Sequence, residues 1–228
     1  MTRRTKTLSA LLLIVVVLQF GYPITGYGAW WTVAYMVLYA AMLGFGILSV
    51  HVEDEVVAPM VAVTAIFLVA GTWFSLAQES TTATVAMLTS VALSMAALIF
   101  ALLRFVFKRS SAPGFDLVLA ATTAYLVIGG FFAATMTLLE IAVPGSFADP
   151  QGQGQVMRWE QLLYYSYVSL STLGYGDILP TTSWARAYGS FVAVVGTLFL
   201  TIVVARLVGI WSSVPTQTSP VGDTDHLS

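Results

Sequence analysis

The chain has 228 residues, 58% apolar and only 9% charged, with a net charge of −2 and no cysteine. Soluble domains keep about a quarter of their residues charged, so an ordinary soluble fold is excluded. So are disulfides, thiolate chemistry and Cys-bound metals, and no basic surface is present for nucleic acid.

The N-terminus, MTRRTKTLSALLLIVVVLQF, has the basic start and apolar stretch of a signal peptide, but no small-x-small cleavage site follows. It reads as an uncleaved first membrane helix. Charge-free runs then recur at Leu8–Ile24, Ala29–Val50, Val56–Gln78, Ser80–Leu103, Leu117–Leu139 and Ala187–Ala205. At ~1.5 Å per residue, even the last run reaches about 28 Å, close to a hydrocarbon core of roughly 30 Å. The fold class is therefore an all-α membrane protein with six transmembrane helices.

Residues 1–110 hold four of these spans, closed by the basic linker FVFKRSSAPG. Residues 111–211 hold an outer helix at 115–143 and an inner helix at 183–211, separated by a long polar-to-apolar segment. The tail at 212–228 is rich in Pro, Ser and Thr and is expected to be disordered, with no soluble domain at either end. His51 and His226 lie far apart without ligand spacing around either, so no metal site is expected on them.

Cations orient the spans. With the N-terminus inside, Arg3, Arg4, Lys6, Arg104, Lys108, Arg109 and Arg206 fall on the inner side, and only Arg158 and Arg186 on the outer. Both termini are thus expected in the cytoplasm, with the protein multi-pass in the plasma (inner) membrane.

Within the long segment, Trp159–Ser171 is too short to span and carries Glu160 in its first turn, where a helix favours an acid. It fits a pore-type helix at 159–171 that enters the membrane and turns back. The stretch that must make the turn reads Ser171-Thr172-Leu173-Gly174-Tyr175-Gly176-Asp177. Glycines there could serve a tight turn, a phosphate cradle or a row of oxygens for a cation. Non-helical backbone at membrane depth is tolerated where it lines a wet cavity, which favours carbonyls facing water or ions.

These residues resemble the selectivity filter of the tetrameric potassium channels, whose loop reads TVGYG. The resemblance covers roughly residues 115–211: a short aromatic helix, then Thr172-Leu173-Gly174-Tyr175-Gly176 with Asp177, then Pro180, Arg186 and Gly196. It implies a homotetramer that conducts K⁺, with no cofactor and no enzymatic activity. K⁺ would be held by the carbonyls of Thr172, Leu173, Gly174 and Tyr175 with the Thr172 hydroxyl. The Leu173 and Tyr175 side chains would point back into protein as braces, and Gly174 and Gly176 would permit the alternating backbone. Leu173 stands where Val or Ile is commoner, which leaves a weakly selective cation channel as the alternative. A membrane protein using the loop only as a turn is a further one.

The resemblance also implies supporting roles. Glu140 would bond backbone of the re-entrant segment, and Asp177 would act as a mouth charge or a brace. Thirteen residues before Asp177, where relatives often carry a tryptophan, stands Tyr164, whose hydroxyl is expected to donate to Asp177; four residues on, Val168 offers no second acid. Tyr165 is expected against an adjacent element. Thr197, Leu200, Val204 and Val208 share one helix face and would line the cavity and gate, or serve ordinary packing, with Gly196 as hinge. Arg206 is expected to reach lipid headgroups, and Gly129-Gly130 to allow close helix contact. Trp30, Trp31, Trp159 and Trp184 would sit near the outer surface. The fourth span, Ser80–Leu103, contains no Arg or Lys, so the first four spans resemble a voltage sensor in position only.

Overall fold

The computed structural model describes residues 2–23, 29–50, 54–77, 80–108, 114–150 and 157–212. His51, Arg109 and the tail beyond Ser212 lie outside the described residues, as do the side chains of Trp30 and Trp31. The chain runs through α1 (Arg3–Phe20), α2 (Ala29–Val50), α3 (Asp54–Leu76), α4 (Thr81–Lys108), α5 (Gly114–Ala142), β1 (Phe147–Ala148), α6 (Trp159–Leu170), β2 (Leu179–Pro180) and α7 (Ser183–Ser212).

Local chemistry sets the helix ends. Thr2 caps α1 by accepting from the Thr5 N–H, as short hydroxyl residues do at helix starts. The helix ends at Phe20 rather than running to Ile24, because Gly21 closes it and Pro23, lacking an N–H, cannot continue it. Ser80 precedes α4 and accepts from the Ala83 N–H at 3.4 Å. Among the described residues, three helices are long and apolar enough to cross a membrane: α4, α5 and the Ser183–Ile210 part of α7. Shorter apolar stretches occur at Val37–Leu48 and Met60–Leu76.

Helix α5 is the hub, with α1, α4, α6 and α7 all packed on it. Its small residues make this possible. A Cβ on Gly129 would lie 2.3 Å from the Tyr167 ring, and one on Gly130 would lie 2.3 Å from Gln19 Nε2. Polar pins add register: the Thr5 hydroxyl donates to buried Asp116 at 2.7 Å, and the Tyr39 and Ser94 hydroxyls meet at 2.8 Å.

The buried side chains form two clusters. One joins α1 to α4 with residues 117–127 of α5 and Val203. The other surrounds α6 and takes in Ile128, Phe132, Met136, Phe147, Ile178 and Val192. Ile99, Phe131 and Phe199 pack against both.

Candidate functional site

Helix α6 ends at Leu170, and its last turn flows directly into the glycine stretch. The Thr172 N–H donates to Ser169 O at 3.0 Å and the Leu173 N–H to Val168 O at 2.9 Å. This pair of bonds is a Schellman closure. It requires a left-handed residue at Thr172, which indeed has φ of 58°. That position is usually glycine; a β-branched residue there is strained. Sequence reasoning assigned the special backbone to the glycines and missed Thr172, because nothing local marks it.

Gly174 and Gly176 follow with φ of 59° and 76°, and Thr172 is the one non-glycine with positive φ among the described residues. Every second residue from 172 to 176 is therefore left-handed, with Leu173 and Tyr175 between them right-handed or extended. Alternation of this kind reorients each successive peptide plane relative to the last. Behind the loop stands the C-terminal end of α6, whose dipole is negative.

The support around the loop differs from expectation in several places. The Tyr164 hydroxyl donates to Asp177 at 2.7 Å, and Asp177 also accepts from the Ile178 N–H at 3.0 Å. The Tyr164 bond holds the Asp177 carboxyl below the usual carboxylate range. Tyr175 lies flat against Tyr164, with ring centroids 6.5 Å apart and planes 7° from parallel. Leu173 is not braced within its own chain; it is 55% exposed. Buried Tyr165 meets Phe147 at 5.4 Å between ring centroids.

Glu140 does not bond the re-entrant segment. Its buried carboxylate accepts from the N–H groups of Gly145 at 2.9 Å and Phe147 at 3.0 Å. The chain turns at Gly145, with φ of 81°, and so returns these donors over the end of α5. The link to the loop is indirect: β1 pairs with β2, setting Phe147 opposite Pro180 and Ala148 opposite Leu179. Arg186 Nε donates to Pro180 O at 3.2 Å, and the Thr181 hydroxyl to Gly145 O. Glu140 thus holds the hairpin that holds the exit of the loop.

On α7, Thr197, Leu200, Val204 and Val208 are exposed on one face of the single chain. Gly196 is buried on another, where a Cβ would fall 1.8 Å from the Leu170 carbonyl oxygen. This glycine allows close approach of α7 to the end of α6. Arg206 does not reach for headgroups. Its Nε donates to Val106 O at 2.7 Å and its Nη2 to Phe107 O at 2.6 Å, with the guanidinium 5.2 Å from the Phe107 ring centroid. The final carbonyls of a helix lack intrahelical partners, and a guanidinium fork satisfies two at once. Trp184 is 77% exposed, whereas Trp159 lies near Tyr22 and Tyr35.

A short helix, a loop with alternating left-handed residues and two long apolar helices lie within residues 116–212, which match the family described as Ion channel. The match takes in α5, α6, the loop and α7. The chain is similar to Two pore potassium channel c of Oryza sativa subsp. japonica, at 33% identity over 85 residues, 37% of this chain and 17% of that relative. The chain thus spans well under a fifth of the relative's length. No solved structure matches it.

Proposed function

We propose that four copies of the chain surround one axis and conduct K⁺ down its electrochemical gradient. The observation that carries this reading is the alternation at Thr172, Gly174 and Gly176. Fourfold repetition turns the carbonyls of Thr172, Leu173, Gly174 and Tyr175 into rings that replace the ion's water. The exposed Leu173 and the apolar outer faces of α7 are then covered by neighbouring subunits and lipid. The test is purified protein in liposomes: K⁺ flux well above Na⁺ flux supports the reading, and no flux of either overturns it. Equal fluxes favour the weakly selective cation channel, the reading to which a bulky Leu173 without a β-branch points.

In this reading the chain crosses the plasma membrane six times, with both termini in the cytoplasm, and Thr197, Leu200, Val204 and Val208 line the cavity and gate. The first four spans do not sense voltage. Each charge moved through 100 mV supplies about 2.3 kcal/mol, and α4 carries its cations only at Arg104 and Lys108, near its end. Recordings are expected to show no steep voltage-dependent opening. Several gating charges that vanish when Arg104, Lys108 and Arg109 are neutralised together would contradict this.

The Tyr164 bond yields a further expectation. Asp177 titrates below its ordinary 3.8 because Tyr164 donates to its ionised form. The brace is therefore intact above the ordinary carboxylate range and is lost as pH falls through the depressed value. Tyr164→Phe should speed the decay of conduction during prolonged opening, spare assembly, and remove the acid dependence of that decay, because no brace is left for protonation of Asp177 to break. Decay kinetics recorded across acidic pH check this; kinetics unchanged from wild type would leave Asp177 without its brace.

A further inference from the structure

Away from the conduction path, a cavity of about 620 Å³ opens between α1–α4 on one side and α5 with the start of α6 on the other. Its size falls within the range of small-molecule sites. Along its length the walls are apolar, built from residues such as Phe67, Phe74, Leu88, Met95 and Ala134. Its polar lining residues include Arg158 and Glu160 at the start of α6, with Gln19, Tyr35, Tyr39, Thr84 and Thr137 from the other helices.

Most hydroxyls around the cavity are already committed to the protein. Tyr35 donates to Leu18 O at 2.7 Å, Tyr39 pairs with Ser94, and Thr137 donates to Ala133 O at 2.8 Å. Glu160 is different: its Oε2 is buried and has no hydrogen-bond partner among the described residues. A buried acceptor left open costs free energy, and for a carboxylate oxygen the fitting partner is a cationic donor. Beside it stand the Trp159 and Tyr35 rings, 6.1 Å apart, and aromatic faces attract ammonium groups. Exposed Arg158 sits two residues away along the chain, offering a cation to an anion at the rim.

We infer that the cavity holds a phospholipid with an ammonium-bearing headgroup, its amine at Glu160 beside the touching Trp159 and Tyr35 rings, its phosphate toward Arg158, and an acyl chain along the apolar walls. An anionic lipid such as phosphatidylglycerol offers Glu160 only neutral hydroxyl donors and adds net negative charge beside its carboxylate, and an uncharged apolar molecule leaves its oxygen open. The reading is independent of conduction, since its readout is binding.

The experiment uses the purified full chain and two spin-labelled probes with identical acyl chains, phosphatidylethanolamine and phosphatidylglycerol. Wild type should retain the ethanolamine lipid about tenfold better, as a charge-assisted hydrogen bond implies. Glu160→Gln should remove that preference, and Leu88→Trp, which fills the cavity, should abolish retention of the ethanolamine lipid. Equal retention of the two probes by wild type overturns the inference and needs no variant to fold. So does undiminished ethanolamine retention in Leu88→Trp, or a preserved preference in Glu160→Gln.

Discussion

Gly174→Ala should abolish K⁺ flux while leaving the protein inserted and helical. The backbone at 174 is left-handed, with φ of 59°, and nothing lies within 4 Å of where a Cβ would stand in the single chain. The effect is thus conformational rather than steric crowding by the chain's own atoms. A side chain in that region costs about 1–2 kcal/mol. Four copies around one axis raise the sum to about 4–8 kcal/mol, enough to flip the peptide and turn its carbonyl out of the row. Helix insertion depends on the spans and is untouched. Liposome flux with circular dichroism checks both halves; wild-type flux in this variant would sink the carbonyl mechanism.

Gly196→Ala should be the most damaging single methyl in α7. Its Cβ would sit 1.8 Å from the Leu170 carbonyl oxygen and 2.8 Å from that carbonyl carbon. Both are backbone atoms, so no rotamer change relieves the clash, and α7 must move away from the end of α6. Overpacking of this kind costs about 1–3 kcal/mol, with a direct disturbance of the turn into Thr172. Gly209 supplies the control, since nothing lies within 4 Å of its added Cβ. Gly209→Ala, in the same helix, should be neutral or stabilising by up to about 1 kcal/mol. Thermal unfolding of the two variants beside wild type decides it; equal midpoints for Gly196→Ala and wild type would refute the packing role.

What could be read in advance was what depends on neighbours in sequence. Helix α6 begins at Trp159 and ends at Leu170, where a short aromatic run meets the glycines, and the Tyr164–Asp177 bond was implied by the family resemblance, which places a donor thirteen residues before the aspartate. The Gly129-Gly130 contact was legible for a similar reason, since paired small residues inside a span mark close helices. What escaped depends on which distant groups meet. Arg206 and the end of α4 lie about a hundred residues apart, and no local pattern announces that an orphaned carbonyl will be within reach. Glu140 was recognised as an anchor but given the wrong partner, because the turn at Gly145 decides where its donors fall. Thr172 was read as a ligand only, since β-branched residues give no signal of left-handed backbone. The end of α1 was misjudged for a simpler cause: hydropathy continues past Phe20, but Pro23 does not permit the helix to do so.

The division of the buried side chains into two clusters, joined through Ile99, Phe131 and Phe199, bears on how the molecule comes apart. Regions held by separate packing open as separate cooperative units. Amide exchange should therefore show two tiers, one for α1–α4 with the first half of α5, another for α6 and the hairpin that clasps the loop. Coincident rates throughout would argue for a single unit. With two, heat or detergent can melt the N-terminal helices while the loop from Thr172 to Asp177 keeps its shape.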